Sequence, residues 1–128
     1  MEHTSLHFLI VEKDPFIARD MSDGLAIAAP GCSVEVLKSP EELPFGAGRP
    51  AFPSARRRTV LITKLTVAEI DAIGLAVIAA QINALIVLRQ GEDPLELILA
   101  RGWFCLPAPF TGDDLAELIA AVNHQIAC

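Results

Sequence analysis

Residues 7–15 read HFLIVEKDP, an apolar run followed by an acidic cluster and then a proline. A continuous apolar run of this length is typical of a strand that is buried on both faces, as in a parallel sheet. Asp14 followed by Pro15 is a helix start, because the aspartate can accept hydrogen bonds from the first amides and proline suits the first helical position. The stretch therefore predicts a buried strand over 7–12 that leads directly into a helix.

The same alternation of strand and helix continues to the end of the chain. Short apolar or alternating runs predict four further strands, at 33–37, 59–63, 84–88 and 103–106. Periodic apolar residues predict a first helix over 15–29, which ends at Pro30-Gly31. Cap residues and the same periodicity predict three more: one long helix over 67–81 after Thr66, a short helix from Asp93-Pro94 to about Arg101, and a last helix over 112–126 after Thr111.

The second helix of the pattern is predicted to be short or replaced by a loop. Ser39-Pro40-Glu41-Glu42 is a helix start, but prolines and glycines crowd the chain between Pro44 and Arg58. The run Arg56, Arg57 and Arg58 is interpreted as a solvated loop before the third strand.

Five short apolar strands separated by helices indicate a parallel sheet covered on both faces. At this length we expect an α/β, flavodoxin-like, doubly wound domain with strand order 2-1-3-4-5. Such sheets place functional side chains at the carboxyl ends of the strands, near the point where the strand order reverses.

Composition and charge exclude several classes of function. The chain has 128 residues, of which 52% are hydrophobic, and a formal net charge of −6. General nucleic-acid binding needs clustered positive charge, and six Phe, one Trp and no Tyr leave little for base stacking. We therefore expect neither a nucleic-acid partner nor a nucleic-acid substrate.

The chain is also expected to lie in the cytoplasm. Its start has no signal-peptide pattern, and Cys32, Cys105 and Cys128 have no metal or disulfide spacing, which favours a reducing compartment. The uncharged stretch 72–88 changes from an alanine-rich segment to the run ALIVL, so it predicts a helix followed by a strand rather than a membrane span.

Two motifs in the chain resemble the receiver domains of bacterial two-component response regulators. FLIVEKDPFIA, residues 8–18, is similar to that family's first strand and acidic cluster. LPAPFTGDDLAELI, residues 106–119, is similar to its Lys-Pro-Phe turn and final helix. The resemblance spans nearly the whole chain and implies a single receiver-like domain over 1–128 without an output domain.

The resemblance also implies a set of chemical roles. In that family, two acidic residues after the first strand and an aspartate at the end of the third hold a magnesium ion, which prefers oxygen ligands. The same aspartate accepts a phosphoryl group. A Ser or Thr at the end of the fourth strand and a lysine before the proline of the fifth contact the phosphoryl oxygens.

Most of these positions carry other residues in this chain. The metal-binding pair falls on Glu12 and Lys13, so an ammonium group stands where a carboxylate ligand is needed. Asp14 lies one place later, where capping of the helix is a sufficient explanation. The acceptor position falls on Thr63, or on Lys64 if the strand is read one residue later.

The contacts to the phosphoryl group are replaced as well. The hydroxyl position falls on Arg89, the lysine position on Ala108 and the aromatic of the fifth strand on Cys105. Only Glu12 and Pro109 agree with the family pattern, and the resemblance implies a cis peptide bond before Pro109.

The resemblance therefore implies a degenerate receiver with no phospho-acceptor, catalytic residue, metal site or cofactor. No Asp or Glu occurs between Glu42 and Glu69, so a shifted alignment supplies no acceptor. We expect a protein that acts through phosphorylation-independent contacts with a protein partner in a signalling pathway. The alternative is a small flavodoxin-like nucleotide- or ligand-binding protein or enzyme, but the carboxylates of Glu12 and Asp14 would repel phosphate. Phosphotransfer at an unusual residue is a third possibility.

Two cations near the predicted site have more than one interpretation. Lys13 either takes the place of the metal ion and neutralises the acidic cluster, or points to solvent beside two acids. Arg89 either binds a phosphate or carboxylate of a ligand, or pairs with a nearby acid such as Glu12.

The long helix over 67–81 is a candidate contact surface. Its charges, Glu69 and Asp71, both lie near its start, and the rest is apolar or alanine until Gln81. A helix that covers a sheet normally has a polar outer stripe. We expect partner docking or homodimer formation through this helix or the last one.

Overall fold

A computed structural model describes residues 5–39, 42 and 57–127 of the chain. Five strands form one parallel sheet in the order β2-β1-β3-β4-β5. Their bounds are Ser5–Val11 (β1), Ser33–Leu37 (β2), Arg57–Thr63 (β3), Leu85–Arg89 (β4) and Phe104–Leu106 (β5). The predicted flavodoxin-like α/β fold and its strand order are confirmed.

Helices connect the strands and cover the sheet. Their bounds are Pro15–Ala28 (α1), Val67–Ile73 (α2), Leu75–Gln81 (α3), Leu95–Ala100 (α4) and Gly112–Ala127 (α5). None of the described helices is long and apolar enough to cross a membrane. Of the helix predicted to start at Ser39, the structure describes only Ser39 and Glu42, and the Glu42 carboxylate accepts hydrogen bonds from the amides of Lys38 and Ser39 at 2.6 and 3.0 Å. Residues 40, 41 and 43–56 lie outside the described residues.

The sheet separates two apolar cores. Alternate residues of the central strands point to opposite faces, so Phe8 and Ile10 pack on one side and Leu9 and Val11 on the other. The first core takes its helical side chains from α1 and α5, among them Met21, Leu25, Leu115, Leu118 and Val122, and the second takes them from α2, α3 and α4, among them Ile70, Leu75, Ala79 and Ile98. The central strands that precede the charged residues are therefore buried on both faces.

The prediction of one long helix over 67–81 is wrong, because Gly74 divides it into α2 and α3. Gly74 has φ +70°, the left-handed conformation that ends a helix and that glycine adopts without a steric penalty. The predicted start is confirmed: Thr66 and Glu69 form a reciprocal capping box.

The predicted cap of α4 is also wrong. The N-cap residue is Pro94, and no side chain caps this helix. Asp93 instead accepts a hydrogen bond from the amide of Val67 at 2.7 Å, which fastens the loop after β4 to the start of α2. An aspartate before a proline suits a cap, but here a free amide of another helix lies within its reach.

The arginine run does not end in a loop as predicted. Arg57 and Arg58 are the first residues of β3 and pair with Ser5 and Leu6 of β1. The third strand therefore begins two residues before the predicted 59–63, because the parallel partner strand is long enough to continue the ladder. Arg56 lies outside the described residues.

Candidate functional site

Three neighbouring strands end in polar residues at the same edge of the sheet. Glu12 follows β1 directly, Thr63 is the last residue of β3, and Arg89 is the last residue of β4. These strands lie side by side, with Val11 opposite Thr63. The fold therefore brings the predicted site residues of the first, third and fourth strands to one place.

Glu12 is the buried centre of this site. Only 1% of its side chain is exposed. Its Oε1 accepts a hydrogen bond from Nη1 of Arg89, and its Oε2 lies 3.2 Å from Nζ of Lys64. The backbone amide of Asp14 also donates to Oε2, at 3.0 Å. Both oxygens of the carboxylate are thus engaged by groups of the same chain.

The two cations that meet Glu12 differ in burial. The Arg89 side chain is 13% exposed and the Lys64 side chain 54% exposed. Loss of one partner from a buried ion pair is strongly destabilising, whereas an exposed pair contributes little. Arg89 is therefore the main partner of Glu12, and Lys64 closes the site on the solvent side.

The structure separates the two interpretations of these cations. Lys13 is exposed, so it has the solvent-facing position rather than that of a built-in counter-ion. Arg89 pairs with Glu12, which was the second of its two interpretations. The positive charges that balance the Glu12 carboxylate come from Arg89 and Lys64 and not from Lys13.

Asp14 acts as a helix cap. Its carboxylate accepts hydrogen bonds from the amides of Phe16 at 2.9 Å and Ile17 at 3.4 Å, at the start of α1. This confirms the cap predicted from the Asp14-Pro15 pair. The carboxylate is therefore occupied by the backbone of α1.

The residue at the predicted acceptor position is a buried threonine. Thr63 is 1% exposed, and its hydroxyl accepts a hydrogen bond from the amide of Leu65 at 3.1 Å. Lys64 follows the strand and turns towards Glu12. In the described part of the chain, no group of three or more His, Cys, Asp or Glu side chains is placed to hold a metal ion.

The remaining predicted site residues lie in the connection from β5 to α5. Ala108 and Pro109 are both exposed, and the peptide bond between them is cis, as the resemblance implied. An alanine side chain offers no charge or hydrogen bond to the site. The connection therefore has the backbone form expected from the resemblance without its lysine.

A shallow cavity of about 300 Å³ lies beside the Glu12 site. Its walls include Lys64 and Arg89 but also the carboxylates of Glu69 and Glu92. Hydrogen bonds from the amide and hydroxyl of Thr66 lower the pKa of Glu69, so this carboxylate stays charged. The cavity therefore presents both signs of charge and is not a simple anion site.

Lys64 is the functional side chain whose role sequence reasoning missed. The sequence placed it only at a possible acceptor position, although it pairs with the acid of the neighbouring strand. The available signal was a basic residue directly after a buried strand, where that strand pairs with β1. Recognising it requires the register of β1 against β3, in which Val11 lies opposite Thr63.

Comparison with protein-family models, curated proteins and solved structures finds no match to this chain.

Proposed function

We propose that this chain is a cytoplasmic, receiver-like signalling domain that takes no phosphoryl group and acts through contacts with a protein partner. Support comes from the resemblance of the two end motifs and from the geometry of the Glu12 site. Fixed side-chain interactions would take the place of the phosphorylation switch on a receiver-like scaffold.

The observation that carries the proposal is the pairing of Glu12 with Arg89 and Lys64. In the receiver family, the acid after the first strand helps to hold a magnesium ion. Here two cations of the chain occupy both oxygens of that acid. A divalent cation would have to displace a buried guanidinium, which would then lose its partner at a high energetic cost.

The acceptor position supports the same proposal. Phosphoryl transfer to a receiver needs a carboxylate nucleophile at the end of the third strand, and Thr63 provides a buried hydroxyl. An alcohol is a weak nucleophile unless a neighbouring base activates it. The partner that the described structure gives this hydroxyl is a backbone amide, which is a donor and not a base.

The proposed contacts have exposed apolar residues available on the outer helices. Ile73 at the end of α2 and Val77 in α3 are 49% and 63% exposed. These residues belong to the segment that the sequence singled out for docking or homodimer formation. In the proposed contact, these exposed apolar side chains would be covered by the partner protein.

The cavity beside Glu12 is the observation that favours the alternative, a small ligand-binding protein or enzyme. Its volume of about 300 Å³ is at the lower limit for a small-molecule site. The carboxylates of Glu69 and Glu92 in its walls would repel a phosphate group. The degenerate receiver therefore fits the site better than a nucleotide-binding protein does.

The test compares the natural chain with a variant in which the receiver chemistry is rebuilt. The variant carries Lys13→Asp, Thr63→Asp, Arg89→Thr and Ala108→Lys. Both proteins are incubated with acetyl phosphate and Mg²⁺, and their intact masses are measured. We expect no phosphoryl adduct on the natural chain and a magnesium-dependent adduct on the rebuilt one.

The matched control is the same rebuilt variant with Thr63→Asn in place of Thr63→Asp. It keeps the size of the side chain but lacks the nucleophile, so its mass should not change. Phosphorylation of the natural chain would contradict the loss of the switch. A folded rebuilt variant that takes no phosphoryl group would contradict the receiver-like placement of these residues.

A further inference from the structure

A serine, a histidine and a glutamate meet on the first two strands of the sheet, away from the Glu12 site. His7 lies in β1, and Ser33 and Glu35 lie in β2. The two strands are parallel, and His7 is directly opposite Ser33 in their register. Residues two apart on a strand point to the same face, which allows Ser33 and Glu35 to contact the same imidazole. We call these three residues the His7 cluster.

The contacts of the His7 imidazole differ at its two nitrogens. Nδ1 lies 2.6 Å from Oγ of Ser33, which is a short hydrogen bond. Nε2 lies 3.9 Å from Oε1 of Glu35, which is too long for a hydrogen bond but close enough for an electrostatic interaction. A proton on Nε2 leaves Nδ1 as an acceptor, so in this tautomer the Ser33 hydroxyl donates to it.

Burial within the His7 cluster is uneven. The side chain of His7 is 14% exposed and that of Glu35 is 48% exposed, while Ser33 is an exposed residue. A reagent in solution can therefore reach the serine, although most of the imidazole is shielded from water.

The His7 cluster combines a nucleophile, a base and an acid in that order. A serine hydroxyl is a weak nucleophile until a neighbouring base takes its proton, and a neutral imidazole is such a base near pH 7. A carboxylate beside the other nitrogen stabilises the imidazolium that then forms. The hydroxyl of Thr63, in contrast, accepts a hydrogen bond from the amide of Leu65. The structure therefore pairs Ser33 with a base and Thr63 with a donor.

We propose that Ser33 is a nucleophilic acylation site for activated esters, with His7 as its base and Glu35 as a supporting charge. Oγ of Ser33 attacks the carbonyl carbon of the ester while its proton passes to Nδ1 of His7. The bond from that carbon to the leaving oxygen breaks, the electron pair stays on this oxygen, and His7 gives the proton to it. The products are an ester of Ser33 and a free alcohol. The inference goes beyond the proposed function and does not rest on it, because the cluster and the reaction are separate from the Glu12 site.

The test follows acetylation by p-nitrophenyl acetate, an activated ester, on the folded chain and on the chain unfolded in urea. One tryptic peptide, residues 20–38, contains both Ser22 and Ser33. Fragment ions assign the acetyl group to a residue and separate Ser33 from the neighbouring Cys32. We expect Ser33 to react faster in the folded chain than in the unfolded chain, because folding places His7 beside it.

Ser22 is the matched control within the same peptide. Its hydroxyl donates to the carbonyl oxygen of Ala18 at 2.8 Å, and an amide oxygen takes no proton at neutral pH. Folding should slow the acetylation of Ser22, because this residue is partly buried and the reagent reaches it less easily. Acceleration at Ser33 together with slowing at Ser22 would separate activation from accessibility.

Two variants assign the roles within the His7 cluster, and circular dichroism verifies that both fold. His7→Asn keeps a polar atom near the position of Nδ1 but removes the base, so we expect it to slow the acetylation of Ser33 by about 100-fold. Glu35→Gln removes a half-exposed charge, so we expect a loss of about threefold. The rate of the natural chain should approach that of Glu35→Gln as salt is added, because salt screens this charge.

Either of two results would overturn the inference. One is acetylation of Ser33 that is no faster in the folded chain than in the unfolded chain, a measurement that needs no variant. The other is a folded His7→Asn variant that is acetylated at Ser33 as fast as the natural chain. A Glu35→Gln variant that reacts at the natural rate would overturn the part assigned to Glu35. The phosphorylation assay measures a phosphoryl and not an acetyl adduct, so failure of this inference and failure of the proposed function are distinguishable.

Discussion

The Glu12 site and the edge groove, which Leu95, Phe104 and Leu118 line between α4, β5 and α5, treat carboxylates in opposite ways. At the first, a buried carboxylate meets two cations of the same chain, and both of its oxygens are occupied. At the second, Asp114 and Glu117 edge an apolar surface with no lysine or arginine among its described lining residues. The chain thus neutralises the buried Glu12 carboxylate with its own cationic side chains. On α5, Asp114 accepts hydrogen bonds from the amide and hydroxyl of Thr111, and Glu117 is exposed.

The largest effect on stability is expected from removing the buried carboxylate of Glu12. Glu12→Ala should lower the free energy of unfolding by about 3 kcal/mol, because Arg89 is left buried without its partner. Urea denaturation measures the change. Glu117→Ala is the matched control at the edge groove and should change stability by less than about 0.5 kcal/mol, as exposed positions do.

A paired replacement separates the loss of the ion pair from the loss of packing. Glu12→Leu combined with Arg89→Met removes both charges, and we expect it to recover most of the stability lost in Glu12→Ala. If Glu12→Ala and Glu117→Ala have equal effects on stability, the contrast between the two regions does not hold.

A smaller effect is expected from the exposed partner of the same carboxylate. Lys64→Ala should reduce the free energy of unfolding by less than about 1 kcal/mol, because its side chain is largely solvated. The loss should decrease as salt is added, since salt screens exposed charges. A loss as large as that of Glu12→Ala would mean that Lys64, and not Arg89, holds the buried charge.

The smallest effect concerns the reactivity of Cys105, which also lines the edge groove. Burial raises the pKa of the Cys105 thiol, so less thiolate is present near neutral pH than in the unfolded chain. Alkylation by iodoacetamide, followed by peptide mass spectrometry, should therefore reach half its maximal rate at a higher pH in the folded protein. Ala121→Phe adds bulk to the same groove and should slow this reaction further. Equal pH profiles in the folded and unfolded chains would argue against a partly buried Cys105 thiol.

The sequence was sufficient for the parts of the molecule that depend on local pattern. The apolar run before Glu12 predicted β1, and the caps at Asp14, Thr66 and Thr111 are local signals that the structure confirms. The Gly74 break was missed because alanine and apolar residues on both sides continue a helical pattern. The helix ends there because Gly74 has a positive φ.

The parts that depend on distant contacts were not predictable in the same way. Asp93 looks like a cap for its own helix, but its hydrogen bond goes to Val67, which is far away in the sequence. Lys64 reaches Glu12 only because β1 and β3 are neighbours in register. The edge groove combines side chains of α4, β5 and α5, and no single segment of the sequence contains it.

A calorimetric titration of the natural chain with Mg²⁺ measures whether the Glu12 site accepts a divalent cation. We expect no saturable heat of binding, because Arg89 and Lys64 already occupy the carboxylate of Glu12. A saturable site for Mg²⁺ that disappears in Glu12→Gln would contradict it.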